Sequence, residues 1–246
     1  MSNLLNDFHA ERRVAPVPGN HFNTNDPLFL QMLEDADGSA RAWAVMVGRV
    51  YLPGKFDVAH LRDIHAHVMQ DIHPGVGATR GDELLLARYA LQHHGTPLPP
   101  EYDTRLSLEG QYFALLNADK VNARVEELSS CLAKEGSLRG MDKSLFITRL
   151  AEYYVRYSYA APFQRGTALV LDVMLHNIGE LAGYRVESLA AKHLREVTDA
   201  ILLAGVTSDK TDLIQVLRSV TTENEGPGPA ALRSPVLWER AQTLPS

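Results

Sequence analysis

The sequence predicts a mainly helical, single-domain protein with one small β element, and three observations carry that reading. Val58, Leu61, Ile64, Val68 and Ile72 recur three or four residues apart, which places them in one stripe of a helix. Residues 167–181 carry Leu169, Val170, Leu171, Val173, Met174, Leu175, Ile178 and Leu181 around most of a helical circumference, so that helix is expected at the centre of the fold. Residues 75–100 break the helical periodicity with Gly75, Gly77, Gly81, Gly95, Pro97, Pro99 and Pro100, which leaves room for a short hairpin or flap.

The elements follow in order. Residues 1–24 mix Arg12, Arg13, Pro16, Pro18 and Gly19 and read as an irregular arm. Asp26-Pro27 opens a helix with proline in its first turn, and the apolar pattern resumes over 42–50 after an interruption at Gly38. Asp57 caps the helix that carries the stripe, and His73-Pro74-Gly75 ends it. Residues 104–135 read as one long helix through Leu106, Leu108, Phe113, Leu115, Leu116, Val121, Val125, Leu128 and Leu132, and Gly136–Gly140 breaks it. Asp142 caps a further helix, a loop over 161–166 interrupts, and the central helix follows. Gly183 stops that helix, and residues 188–204 and 209–220 give two amphipathic helices. The domain therefore spans 25–222, and a Pro/Gly-containing tail occupies 223–246.

Composition excludes several function classes. The 246 residues are 45% hydrophobic, too apolar for a disordered chain. Twenty-four Lys and Arg against 30 Asp and Glu give a net charge of −6, which argues against phosphate-driven nucleic-acid binding and polybasic attachment to lipid. A single cysteine, Cys131, forbids an internal disulfide and a multi-cysteine metal site. No apolar h-region opens the chain and no apolar stretch reaches membrane length, so cytoplasmic residence is the default expectation.

Two segments together resemble the Fic domain family. The first is Phe56-Asp57-x-x-His60-Leu61-x-x-Ile64-His65-x-His67-x-x-Gln70-Asp71-Ile72, followed by Gly77 and Arg80, which is similar to the family's FD-x-x-HL-x-x-IH-x-x-LFQD helix and the turn after it. The second is Ala161-Pro162-Phe163-Gln164-Arg165-Gly166-Thr167-Ala168-Leu169, in the place of the family's active loop, H-P-F-x-x-G-N-G-R. Between them, Gln92-His93-His94-Gly95-Thr96-Pro97 resembles the family's flap. The order and spacing match over roughly residues 25–222. The resemblance implies a compact Fic-like helical bundle with a small β-hairpin flap over a nucleotide site.

Most Fic enzymes transfer AMP from ATP to a target hydroxyl. The reaction needs a general base, a backbone nest for phosphate and cations against developing charge. On the resemblance, Ala161 stands at the base, Gln164 at the Mg²⁺ carboxylate, Thr167 at the asparagine, Leu169 at the phosphate-binding arginine and Asp172 at a second arginine. Losing the base alone costs about 10²–10⁴ in rate. Pro162, Phe163 and Gly166 keep the shape, with Phe163 expected to plug the core and Gly166 to permit the turn.

Two functions stay open at this point. One is a pseudoenzyme-like binding or regulatory module that takes a protein segment in the groove under the flap. The other is a transferase on the same fold with a different nucleotide-linked donor, moving a nucleotidyl, phosphocholine or glycosyl group. Candidate anion-binding residues are Arg80, Arg165, Gly166 and Thr167, with Arg165 either an anion ligand or a solvated loop arginine. His93, His94, Gly95 and Thr96 form the expected flap, and no metal site is expected, Mg²⁺ at the loop included. His60 and His65 read as helix-packing residues. Glu223 or Glu225 falls in a short match to the family's inhibitory motif, but Asp172 would repel that glutamate. The family also occurs among effectors delivered into other cells.

Overall fold

Aspartates open three of the helices. In the computed structural model, which describes residues 20–73, 76–79, 102–104, 114–116, 120–163 and 165–224, Asp26 accepts the N–H groups of Leu28 and Phe29 at 2.9 and 3.2 Å and starts α1, Pro27–Leu33. Asp57 accepts the N–H of His60 at 2.9 Å at the start of α3, Val58–Met69. Asp142 accepts from Ser144 and Leu145, both at 3.0 Å, and starts α5, Lys143–Ala160. Between α1 and α2, Ser39–Met46, the chain makes one π-helical turn, Glu34–Gly38. The interruption expected at Gly38 is thus a change of pitch and not a break: its φ is −61°, ordinary for a helix. A Cβ at Gly38 would lie 2.7 Å from Leu169 Cδ1, so glycine serves close approach there.

The long helix expected over 104–135 is corrected. Within that span Ala114–Leu116 is a strand, β2, paired antiparallel with β1, Tyr102–Thr104, with Asp103 opposite Leu115. The helix, α4, runs only over Val121–Lys134. An apolar pair such as Leu115-Leu116 fits the end of a helical stripe and a short strand equally well, and cross-strand pairing decides between them. The expected break follows: Gly136–Leu138 is a 3₁₀ turn in which Gly136, Ser137 and Leu138 all have positive φ.

The central helix, α6, spans Thr167–Ala182, and Gly183 ends it at φ +91°. Val170, Leu171, Val173, Met174, Leu175 and Ile178 are all buried, as its apolar circumference requires. It touches α2, α3, α5 and the two elements after it, β3, Tyr184–Val186, and α7, Leu189–Thr207. The last helix, α8, is Thr211–Val220 and packs on α7 and α5.

A second correction concerns the β content. The sequence reading allowed one small β element, yet β4, Thr221–Glu223, pairs antiparallel with β3 and makes a second two-stranded sheet, with Arg185 opposite Thr222. Glu223, assigned to the tail from sequence, lies opposite Tyr184 in that sheet, and the Asn224 N–H donates to the Gly183 carbonyl at 3.1 Å. Three-residue strands are too short for a period-2 pattern to register, and β4 leaves α8 with no turn residue between them.

Candidate functional site: the loop between α5 and α6

The loop begins where Ala161 closes α5. Its φ and ψ are 39° and 67°, left-handed for a residue other than glycine, and its N–H donates to the Tyr157 carbonyl at 3.0 Å. Pro162 is buried, and Phe163 is 2% exposed, plugged into the core as the sequence reading expects. Thr167 closes the loop on itself. Its Oγ1 accepts the Phe163 N–H at 3.1 Å and donates to the Phe163 carbonyl at 2.9 Å. Gly166, at φ +71°, is the residue from which α6 departs, and a Cβ there would meet Met69 Sδ at 3.0 Å.

His65, on α3, holds this loop in place. Its ring stacks on Phe163 with centroids 4.1 Å apart and planes 9° from parallel. Its Nδ1 accepts the Gly77 N–H at 2.8 Å, and its Nε2–H donates to the Arg165 carbonyl at 3.2 Å. These two bonds fix a neutral tautomer and tie α3, the turn at Gly77 and the loop together. Burial, only partly opposed by the bond to Arg165, brings the His65 pKa down to about 4. His60 is the packing residue that the sequence suggests: Nδ1 accepts the Phe56 N–H at 3.1 Å and Nε2–H donates to the Leu52 carbonyl at 3.0 Å. His65 packs and also positions the loop, a role that its place on a buried stripe did not reveal.

Arg165, half-buried, is paired with a carboxylate from the other end of the chain. Its Nη1 donates to both carboxylate oxygens of Glu34 at 2.7 and 2.6 Å, and His73 Nε2 donates to the same carboxylate. Glu34 is 5% exposed in the π-helical turn. Burial pushes its pKa up, but the His73 hydrogen bond and the Arg165 charge outweigh burial and hold it below the ordinary 4.5. The sequence analysis missed Glu34 and His73. A signal was present: Glu34 stands four residues after Leu30, on the buried side of the N-terminal helix.

The other positions of the loop segment are accounted for by packing. Leu169 is half-buried against Gly38, and Ala168 is exposed. Asp172 is buried one turn further along α6, where its carboxylate accepts the Ser188 hydroxyl and, at 3.0 Å, the Leu189 N–H at the start of α7. A carboxylate is well placed at that helix N-terminus. Glu223 is exposed on β4. Arg80, Gln164, His93, His94, Gly95, Thr96 and Glu225, and with them the expected flap, lie outside the described residues. Among the described residues no group of three or more His, Cys, Asp or Glu is placed to hold a metal ion. No described helix is long and apolar enough to cross a membrane.

No protein-family model matches the chain. Among solved structures it is similar to the BepC protein of Bartonella tribocorum with bound AMPPNP, at a TM-score of 0.69 and 17% identity over 86% of this chain and 96% of that one. It is also similar to the N-terminal Fic domain of a putative cell filamentation protein of Bartonella quintana with bound ADP, at a TM-score of 0.66 and 18% identity over 88% and 96%. The fold is that of Fic domains. In sequence it is 25% identical over 164 residues to a probable protein adenylyltransferase Fic of Escherichia coli, covering 67% of this chain and 69% of that protein. It is 22% identical over 182 residues to the protein adenylyltransferase VbhT of Bartonella schoenbuchensis, covering 74% of this chain. The match spans only 32% of the length of VbhT. The Fic-like helical bundle expected from the two sequence segments is therefore the fold observed.

Proposed function

We propose that this Fic domain does not transfer AMP by the family mechanism and works as a binding or regulatory module. The observation that carries the reading is the pairing of Arg165, the cation of segment 161–169, with buried Glu34, in a loop where alanine stands at position 161. A base is needed to deprotonate a hydroxyl, and cations are needed to offset charge on the transferred phosphoryl group. Ala161 supplies no base. Leu169 and Asp172, at the positions where the family carries arginines, are engaged in packing and in capping α7. A Mg²⁺-nucleotide of the family kind does not fit these side chains, so no step is routed through one.

The retained loop shape supports recognition. Phe163, Thr167, Gly166 and His65 hold the loop rigid, and a rigid rim with an extended partner beside it suits binding of a protein segment by strand addition at the flap. One observation favours the second reading, a transferase with another nucleotide-linked donor. Among the described residues no side chain caps the N-terminus of α6 after Gly166, which leaves backbone N–H groups of its first turn to an anion. The two solved relatives with AMPPNP and ADP bound point to the same class of ligand.

The deciding experiment incubates the purified chain with labelled ATP and a broad lysate, in parallel with the Ala161→His variant. The proposed reading expects no labelled protein from either, because a restored imidazole still lacks its cations. Adenylylation by the unmodified chain overturns it. Binding of one nucleotide sugar or CDP-choline, measured calorimetrically with the unmodified chain, selects the second reading.

A further inference from the structure

The far end of α6 holds a cavity that the loop does not use. It measures about 90 Å³ and lies between α2, the segment 50–56 and the last turns of α6. Val45, Val50, Leu52 and Leu181 form its apolar wall, and His176 and Glu180 form its polar one. Glu180 is thirteen residues beyond Thr167, about 20 Å along an ideal helix axis, so this is not part of the loop site.

The polar wall holds a buried carboxylate oxygen that meets no donor among the described residues. Glu180 is 5% exposed; its Oε1 accepts from Asn224 Nδ2 at 3.3 Å, and its Oε2 is buried with no hydrogen-bond partner among the described residues. A buried carboxylate oxygen without a donor is costly. His176, four residues earlier on the same helix face, is also buried, and its Nδ1–H donates to the Val186 carbonyl at 2.9 Å. The neutral ring therefore presents Nε2 as a second acceptor. Both groups stand in the last two turns of α6, the negative end of its dipole, where no basic residue occupies the last turn.

We propose that this cavity binds a primary ammonium group carried on a short aliphatic chain. An ammonium offers three donors and a full positive charge to a carboxylate oxygen, an imidazole nitrogen and the carbonyl end of a helix. The volume equals about three water molecules at ~30 Å³ each, enough for a short alkyl chain against Val45, Val50, Leu52 and Leu181. A metal ion fits less well. His60 also lines the cavity, but both of its ring nitrogens are already bonded, to Phe56 and Leu52, which leaves two side-chain ligands on α6. Structural zinc sites take four.

The test titrates the whole chain with n-butylammonium chloride at constant ionic strength, with n-butanol, sodium chloride and zinc chloride in parallel. Binding is read by calorimetry and by the rise in Tm that a ligand of the folded state produces. The expected result is one butylammonium per chain, bound at least tenfold more tightly than butanol, with Glu180→Gln weakening it at least tenfold. Equal binding of butanol, an unaltered affinity in Glu180→Gln, or stoichiometric zinc binding without butylammonium binding overturns the proposal. Should Glu180→Gln not fold, methyl resonances of Val45, Val50 and Leu181 in the unmodified chain decide. They shift with butylammonium and not with sodium chloride if the site is real, and their silence overturns it.

Discussion

Replacing Glu34 by glutamine tests whether the ion pair with Arg165 holds the loop. Removing one partner of a fully buried pair costs about 3–5 kcal/mol, because the other charge is left without compensation. Here the Glu34 side chain is 7% exposed but that of Arg165 is 31% exposed, so water screens one side of the pair. Discounting for that screening leaves about 1–3 kcal/mol. For a chain of this size 1 kcal/mol moves Tm by about 2–4 °C, so Glu34→Gln should lower Tm by about 2–12 °C. The assay is a double-mutant cycle with Arg165→Met by urea unfolding at pH 7, and the expected coupling is about 1–3 kcal/mol. The pH dependence has a fixed sign. The folded carboxyl lies below 4.5, so its contribution is complete above pH 4.5 and is lost as pH falls through the depressed value. The advantage of the unmodified chain over Glu34→Gln therefore shrinks only below pH 4.5. A coupling under about 0.3 kcal/mol, the size of ordinary additivity error, would refute the reasoning.

Four further outcomes are expected. His65 is neutral in the fold, with its pKa near 4 against an ordinary 6.5, so its contribution is full above pH 6.5 and about 3 kcal/mol is lost by pH 4; the urea midpoint of His65→Gln should vary less over that interval than that of the unmodified chain. Phe163→Ala empties the core plug and the ring stack and should cost about 3–5 kcal/mol in chemical unfolding. Gly166→Ala places a Cβ at φ +71° and 3.0 Å from Met69 Sδ, and a loss of about 1–2 kcal/mol should appear in the same experiment. Asp172→Ala strips the start of α7 of its acceptor and should cost about 1–2 kcal/mol, with amide exchange speeding first around Leu189.

Much of the fold was legible because its signals are local. Asp26, Asp57 and Asp142 cap where a short acceptor before an apolar run should, and Gly183 ends α6 with the positive φ that only glycine takes easily. The apolar circumference of 167–181 placed α6 at the centre. Phe163 and Gly166 were assigned to shape on the same grounds, and their burial and backbone angles agree. The short strands were not legible. Leu115 and Leu116 fit two periods at once, and β3 and β4 become strands only by finding each other across the helices and turns of residues 187–220.

The sequence by itself determined the helical class, the caps and the loop between two buried helices, because each depends on neighbours a few positions away. The tertiary structure alone decided what the remaining charged groups do. Arg165 reads as a free cation until Glu34 is brought to it from 131 residues earlier, and Asp172 reads as a misplaced charge until α7 begins against it. Coulomb and hydrogen-bond energies act over a few ångströms of space and are indifferent to separation along the chain. The partners of a buried charge are therefore set by packing.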